Sequence, residues 1–366
     1  MSEIPSEPAE APFAQTDFEQ ITTMVSTEFQ IEEALLEHNI PTYYLKQPQE
    51  TKQAFLRLLK KLEEMNFIAI LRRHDGRIVL KIIPKPPTKP SNILINWLLF
   101  FATIGTTFIT GYMISGDLID PLIGGAMFTI AIMAVFGTHE MGHKLTANRE
   151  GIEATPPYFI PGPPPIGGFF GIGTFGAVIM QKSLPQNRDK LFDIGANGPI
   201  LGFILALIVS IVGLMLSPLH KITGTENFLP SPLIFDLFAI FIVKLPQDSV
   251  ISLHPVAFAG WVGMIVTMFQ LFPAAMLDGG HVSRSLFGER TRAVLTTLSI
   301  LSLIIISWPM AIFVLFLSMQ KHPGPLDDVS SLSTSRKLLA IVLVVIFVLS
   351  SFLHYFIYIL LELLRL

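Results

Sequence analysis

The chain contains no cysteine among its 366 residues. Disulfides, thiolate metal sites and cysteine nucleophiles are therefore excluded, and any bound metal must use histidine and carboxylate ligands. Charged residues are also scarce, at 14% of the chain, whereas hydrophobic residues make up 51%. Because a soluble protein of this length carries far more charge, the composition predicts a polytopic protein of the lipid bilayer with a soluble appendage. The formal net charge of −3 argues against nucleic acid as a partner.

The pattern along the chain divides it into four parts. They are a disordered tail at residues 1–16, a soluble α+β domain at 17–84, a linker at 85–92 and a transmembrane domain at 93–366. The tail is acidic and rich in proline and alanine, and prolines stiffen the linker. Within the soluble domain, residues 49–66 have the apolar spacing of an amphipathic helix. His74-Asp75-Gly76 lies between two apolar runs and indicates a β-hairpin.

The membrane part contains six segments of the length and hydropathy that a spanning helix needs. They are residues 93–114, 122–147, 195–216, 254–276, 294–318 and 337–361. A stretch rich in proline and glycine, residues 161–180, does not form a regular span, so we interpret it as re-entrant. We therefore predict a polytopic α-helical membrane protein with about six transmembrane helices and a re-entrant Gly/Pro-rich segment, joined to a small N-terminal α+β soluble domain.

Basic residues predict the orientation in the membrane. They precede the first span and follow the second and fourth, whereas the loop at 116–120 has none. The N-terminus is therefore predicted to be cytoplasmic. Six crossings return the C-terminus to the cytoplasm of a cell-membrane protein and put the end of span two, with the candidate active site, towards the cytoplasmic side. In this count the loop at 319–336 lies outside, although it contains Lys321 and Arg336.

The most informative motif is His139-Glu140-Met141-Gly142-His143, near the end of the second span. On a helix the two histidines lie one turn apart on one face, so both imidazoles can bind the same zinc ion. Glu140 lies beside that face, where it can take a proton from a zinc-bound water. Ionisable groups at membrane depth are costly and usually functional. The motif therefore predicts hydrolysis of a peptide bond within the bilayer.

A catalytic zinc ion needs a third protein ligand. The extended three-histidine pattern fails, because Thr146 and Arg149 stand where that pattern requires glycine and histidine. Asp278 ends the fourth span, and the six-span count puts it on the cytoplasmic side, level with the two histidines. We therefore predict that His139, His143 and Asp278 are the metal ligands.

These motifs resemble those of the site-2 protease family of intramembrane zinc metalloproteases. The family's Asp-Gly motif corresponds to Leu277-Asp-Gly-Gly280, and its Gly-Pro-rich helix start to Asn197-Gly-Pro-Ile-Leu-Gly202. Residues 158–178 are similar to the subgroup of archaeal and plastid members. The resemblance covers about residues 90–320, and no PDZ-like module is inserted.

The resemblance implies an intramembrane zinc metalloprotease that hydrolyses peptide bonds within or near transmembrane helices during regulated intramembrane proteolysis. Glu140 would activate the zinc-bound water and later protonate the leaving amine. The family has an asparagine eight residues before the ligand aspartate; Gln270 stands there, and its amide can still donate to the oxyanion. The implied cofactor is one Zn²⁺ per chain. The implied partners are a transmembrane substrate protein and the lipid bilayer.

For two residues, two possible roles remain open, and one further segment is assigned a role in substrate binding. Asn197 either takes a direct catalytic role or caps a helix before Pro199. His281 either supports the ligands or is itself a displaced ligand. A strand edge near Gly176 is interpreted as the place where an unwound substrate adds by β-augmentation, and loss of cleavage with retained zinc in Gly176→Pro would support that role.

Two other classes of protein compete with the protease. An ion transporter also uses intramembrane histidine and aspartate, but it does not need a glutamate beside two ligands at this spacing. An inactive scaffold that binds membrane helices does not need the intact set of Glu140 and three ligands.

Overall fold

The computed structural model describes residues 15–88, 90–166, 171–224, 229–320, 322–352 and 354. These residues form two compact units. The first contains residues 15–88 together with two short segments from far along the chain, Leu184–Arg188 and Gly324–Ser331, and the second contains the remaining described residues. Residues 1–14 of the predicted disordered tail lie outside the described part of the chain. The last two residues of that predicted tail belong to the first helix, which begins at Gln15.

The first unit is an antiparallel sheet packed against two helices. Its elements are α1 (Gln15–Glu28), β1 (Ile31–Glu37), β2 (Ile40–Leu45), α2 (Lys52–Glu63), β3 (Phe67–His74) and β4 (Arg77–Pro84), with strand order β1-β2-β4-β3. The predicted hairpin is confirmed as β3–β4, and its turn residues Asp75 and Gly76 both have positive φ. The predicted amphipathic helix is confirmed as α2, which is shorter at both ends than its pattern indicated.

Apolar side chains from both helices form one core with the sheet. The largest fully buried members include Ile21 of α1, Phe55 and Leu58 of α2, and Tyr43 and Leu80 of the sheet. Burying each of the larger side chains stabilises the unit by about 1.5–3 kcal/mol. The 3.6-residue period of α2 thus produces the packing that the sequence pattern indicated.

An ion-pair cluster joins the two helices of this unit. Glu28, at the end of α1, accepts hydrogen bonds of 2.7 Å from Lys61 and from Arg57 of α2. The hydrogen bond from Lys61 is the largest of the effects that lower the pKa of Glu28 below that of an ordinary glutamate. The cluster therefore favours the ionised carboxylate.

Two distant segments extend the sheet beyond β3. Leu71 donates its N–H to the Leu326 carbonyl at 2.9 Å and accepts from the Asp328 N–H at 3.1 Å. Asp327 forms a further parallel bridge with Asn187. Residues 326–328 therefore lie along β3 as an added strand, and residues 185–187 lie along them in turn.

The second unit consists mainly of apolar helices. They are α3 (Ile93–Ile114), α4 (Pro121–Arg149), α5 (Arg188–Met215), α6 (Leu233–Phe238), α7 (Pro255–Gln270), α8 (Asp278–Leu286), α9 (Glu289–Ile306), α10 (Trp308–Ser318) and α11 (Thr334–Ser350). Two short β-hairpins accompany them, formed by β5 (Tyr158–Pro161) with β6 (Thr174–Val178) and by β7 (Leu219–Lys221) with β8 (Ser249–Ile251). A π-helical turn at Ala239–Val243 follows α6. Among the described residues, α3, α4 and α5 are long and apolar enough to cross a membrane.

The predicted fifth span, residues 294–318, is wrong as a single helix. The chain is extended at Ser307, and Pro309 in the first turn of α10 cannot continue the helix of α9. The start of α9 and the end of α10 line one cavity together, through Arg292, Thr296, Leu315 and Ser318. The two helices therefore form an antiparallel hairpin. The 11 residues of α10 measure about 16 Å, too short for a bilayer core of about 30 Å.

The predicted re-entrant segment contains part of a β-hairpin. Strands β5 and β6 pair antiparallel, and residues 167–170 between them lie outside the described part of the chain. The Gly173 carbonyl accepts a hydrogen bond of 2.6 Å from the Thr106 hydroxyl of α3. A Cβ at Gly173 would lie 2.7 Å from the Thr106 carbonyl, so only glycine allows this approach. The irregular backbone at Gly173 is thus satisfied by a neighbouring helix.

Candidate metal centre

The three predicted ligands lie together in the second unit. His139 Nε2 lies 3.1 Å from His143 Nε2 and 3.1 Å from Asp278 Oδ2. His143 Nε2 lies 3.3 Å from the same Asp278 oxygen. All three residues are buried, with exposures of 5% to 8%. Two imidazole nitrogens and one carboxylate oxygen therefore form a nearly equilateral triangle.

This triangle fits a tetrahedral zinc ion. Zinc bonds to histidine nitrogen and carboxylate oxygen measure about 2.0–2.2 Å, so tetrahedral ligand atoms lie about 3.3 Å apart. The three separations in the structure are 3.1, 3.1 and 3.3 Å. Two nitrogens and one oxygen form the donor set of many catalytic zinc sites, which keep a fourth position open.

The Glu140 carboxylate lies at the edge of this triangle. Its Oε1 is 4.0 Å from His139 Nε2, and the residue is 5% exposed. The backbone of Ile179, directly after β6, lies close to the Glu140 carboxylate. Glu140 is therefore held near the ligands from the side on which the β-hairpin lies.

The second nitrogen of His143 has a defined partner. His143 Nδ1 lies 2.8 Å from the Ile194 carbonyl of α5. A carbonyl oxygen only accepts, so Nδ1 carries the proton and Nε2 keeps its lone pair for a metal. Sequence reasoning missed this contact, because a backbone carbonyl leaves no signal in the residue types.

Glycines allow α5 to pack directly on the ligands. A Cβ at Gly198 would lie 2.1 Å from His143 Nε2, and a Cβ at Gly202 would lie 2.9 Å from His139 Nδ1. A Cβ at Gly195 would lie 2.8 Å from the Asp278 carbonyl. These positions recur on one face of the helix, at spacings of three and four residues. The motif at 197–202 contains two of the three glycines.

The prediction that Asp278 ends the fourth span is wrong. Helix α7 ends at Gln270, and Asp278 begins α8 after a turn at residues 271–277. A Cβ at Gly279 would lie 2.2 Å from the Leu271 carbonyl, and a Cβ at Gly280 would lie 2.4 Å from the Ala275 carbonyl. The two glycines therefore let the first turn of α8 pack against the preceding turn.

The two tentative catalytic residues differ in their surroundings. Asn197 Nδ2 donates a hydrogen bond of 2.8 Å to the Thr146 hydroxyl of α4, so its amide faces that helix. Its alternative role as a helix cap is wrong, because Asn197 lies inside α5, nine residues after the helix begins. Gln270 is the last residue of α7 and is half-buried.

His281 has a partner other than the ligands. Its Nδ1 lies 2.8 Å from Nε2 of His322, which follows α10. A lone histidine in a loop carries no motif, so the sequence contained no sign of this role for His322.

The hairpin near Glu140 affects the test of the strand-edge interpretation. Gly176 in β6 has a φ of 95°. Proline fixes φ near −65°, so Gly176→Pro would disturb the hairpin itself and does not test the edge. The role of this edge stays a prediction.

A glutamate beside two histidines on an apolar helix, with an aspartate from a distant helix completing the triangle, is the arrangement of a membrane-embedded metallopeptidase. The profile of Peptidase family M50 matches residues 127–312. The chain therefore belongs to Peptidase family M50, the family of the site-2 proteases. Zinc is the metal that this membership implies.

Curated relatives agree with the family. The chain is 30% identical over 248 residues to the probable zinc metalloprotease EGY1, chloroplastic, of Oryza sativa subsp. japonica. This alignment covers 64% of the chain and 42% of the rice protein. It is 31% identical over 188 residues to the probable zinc metalloprotease EGY2, chloroplastic, of Arabidopsis thaliana. This second alignment covers 50% of the chain and 32% of the Arabidopsis protein. The chain thus spans less than half the length of these relatives. No solved structure matches it significantly.

Proposed function

We propose that this protein is an intramembrane zinc metalloprotease that hydrolyses peptide bonds within or near the transmembrane helices of substrate proteins. His139, His143 and Asp278 hold the zinc ion. The observation that carries the proposal is the buried triangle of ligand atoms with the Glu140 carboxylate at its edge. The triangle joins the end of an apolar 29-residue helix to the start of a distant one.

The residues divide the chemistry between them. A bound zinc ion polarises the scissile carbonyl and lowers the pKa of a water molecule towards about 7. Glu140 takes a proton from the attacking water and later delivers it to the leaving amine. The neighbouring Ile179 backbone helps to orient the Glu140 carboxylate for both transfers. Burial of the site limits the access of bulk water and strengthens these electrostatic interactions.

The two amide side chains take different parts in the proposal. Gln270 remains the candidate donor to the oxyanion, because its amide stands where the family has an asparagine. Asn197 is engaged by Thr146, which favours a positioning role between α4 and α5. A larger loss of kcat for Gln270→Ala than for Asn197→Ala would agree with this division, and the reverse order would contradict it.

Metal content tests the proposed ligand set. We expect one zinc ion per purified wild-type chain and loss of that zinc in both Asp278→Ala and His143→Ala, because each change removes one corner of the triangle. Atomic emission or mass spectrometry of the detergent-purified proteins measures the content. A folded wild type without zinc would refute the proposal, and zinc that survives Asp278→Ala would require another third ligand.

We also propose a revised crossing of the membrane. The backbone ladder that joins β3, residues 326–328 and residues 185–187 supports it, since an open sheet is confined to one side of a bilayer. An even number of crossings then separates residue 188 from residue 324. Helix α5 supplies one crossing. The shorter apolar helix α7, with 16 residues, supplies the other together with the turn at residues 271–277. The α9–α10 hairpin enters and leaves on the same side.

This revised count differs from the six-span count in two positions. Residues 324–331 lie on the cytoplasmic side with the soluble domain, and so does the basic residue Arg336, which the six-span count placed outside. The end of α11 at Ser350 lies on the opposite side, whereas the six-span count predicted a cytoplasmic C-terminus. The metal ligands stay towards the cytoplasmic side in both counts.

Single cysteines test the revised count without background, because the natural chain has none. We expect Arg73→Cys and Ser331→Cys to react with a membrane-impermeant maleimide from one side of sealed vesicles, and Lys221→Cys from the other side. All three positions are exposed. Labelling of Ser331→Cys together with Lys221→Cys would restore the six-span count.

A further inference from the structure

A pair of histidines lies beside the metal ligands without belonging to them. His281 Nδ1 and His322 Nε2 are 2.8 Å apart, and the two rings meet edge to face with centroids separated by 4.9 Å. His322 is 7% exposed. Since one imidazole donates and the other accepts, the contact fixes the orientation of both rings.

The pair holds the turn of α8 that begins with Asp278. His281 is three residues after Asp278, so the two side chains share one face of the helix. Helix α5 packs against the same turn, because a Cβ at Gly195 would lie 2.8 Å both from the Asp278 carbonyl and from the His281 Cβ. The turn is therefore contacted by α5 through its backbone and by the loop after α10 through His322.

The other end of α8 is held by separate contacts. Glu289 forms an ion pair of 3.2 Å with Arg284 of α8 and accepts hydrogen bonds of 2.6 and 3.1 Å from Arg292 of α9. These contacts join α8 to the start of α9. They leave the orientation of the first turn to the histidine pair and the glycine contacts.

We propose that His322 is a positioning residue of the metal centre. Through His281 it orients the first turn of α8, so that Asp278 Oδ2 stays within 3.1–3.3 Å of both ligand histidines. Groups that orient a ligand typically change metal affinity by about 10- to 100-fold when removed. The inference rests on the proposed zinc site and assigns it a residue that carries no motif.

Zinc affinity and the visible spectrum of Co²⁺ in the purified full-length chain test this role. We expect His322→Ala to weaken zinc binding by about 10-fold or more in competition with a chelator and to shift the Co²⁺ bands. His322→Gln should restore both, because its terminal amide lies where Nε2 lies in histidine. His220→Ala is the matched control, since His220 is exposed in β7.

The outcomes separate this role from simple packing and from the proposed function. Wild-type affinity and spectrum in His322→Ala would overturn the positioning role, and so would an equal loss in His322→Gln. If His322→Ala does not fold, His281→Ala and His281→Asn carry the same comparison, because asparagine places its amide near Nδ1. A wild type that binds neither Zn²⁺ nor Co²⁺ would instead refute the zinc site.

Discussion

Replacing Glu140 with glutamine is expected to reduce peptide hydrolysis by about 10²- to 10⁴-fold, the usual contribution of a general base. Glutamine keeps the shape of glutamate but cannot accept the proton of the attacking water. Zinc should remain bound, because the triangle of His139, His143 and Asp278 is unchanged. Cleavage of a model transmembrane substrate and metal analysis of the same sample measure the two effects.

This substitution also separates the competing classes of protein. An ion transporter would show altered zinc or proton flux in proteoliposomes and no substrate fragment from the wild type. An inactive scaffold would bind membrane helices equally well with either residue. Glu19→Gln, on the exposed face of α1, is the matched control. Full hydrolysis by Glu140→Gln would remove this residue from the mechanism.

A single added carbon atom at Gly198 is expected to weaken zinc binding. The Cβ of Gly198→Ala would lie 2.1 Å from His143 Nε2 and 2.4 Å from its Cε1. The ring cannot move aside easily, because Ile194 holds its other nitrogen at 2.8 Å. Either the ring or α5 must shift, and we expect zinc affinity to fall by about 10-fold or more. Chelator competition on the purified protein measures the change.

Gly105→Ala is the control for this prediction. Gly105 lies inside α3, and a Cβ there would meet nothing within 4 Å. Alanine is favoured over glycine in a helix by about 1 kcal/mol, so both substitutions gain the same intrinsic helix propensity. A fall in zinc affinity in Gly198→Ala but not in Gly105→Ala must then come from the clash. Wild-type affinity in Gly198→Ala would mean that α5 and His143 are packed loosely enough to accept the added Cβ.

The part of the site that local periodicity controls was predictable. Two histidines four residues apart on a helix must share a face, and the neighbouring glutamate must lie beside that face. Hydropathy and the count of crossings predicted that Asp278 lies near the two histidines, and it does, although its helix was assigned incorrectly. Hydropathy averages over a window, so it did not detect the turn at residues 271–277 or the break at Ser307.

The contacts that orient the ligands were not predictable in the same way. The partner of His143 is a backbone carbonyl, and the partner of His281 comes from a loop that follows two further helices. The same holds for the sheet. Residues 326–328 pair beside β3, and residues 185–187 pair with them, although both segments lie far along the chain. Backbone pairing of this kind depends little on side-chain type, so residue patterns give no sign of it.

The sequence by itself determined the class of this protein: an apolar, cysteine-free chain that belongs to Peptidase family M50, with two histidines and a glutamate in a helix long enough to span a membrane. These properties depend on composition and on the spacing of residues within one helix, and both are local. Only the tertiary structure decided how α5 packs on the ligands, which groups orient them and how α9 and α10 turn back. Those features depend on contacts between segments far apart in the chain, and the fold alone brings such segments together.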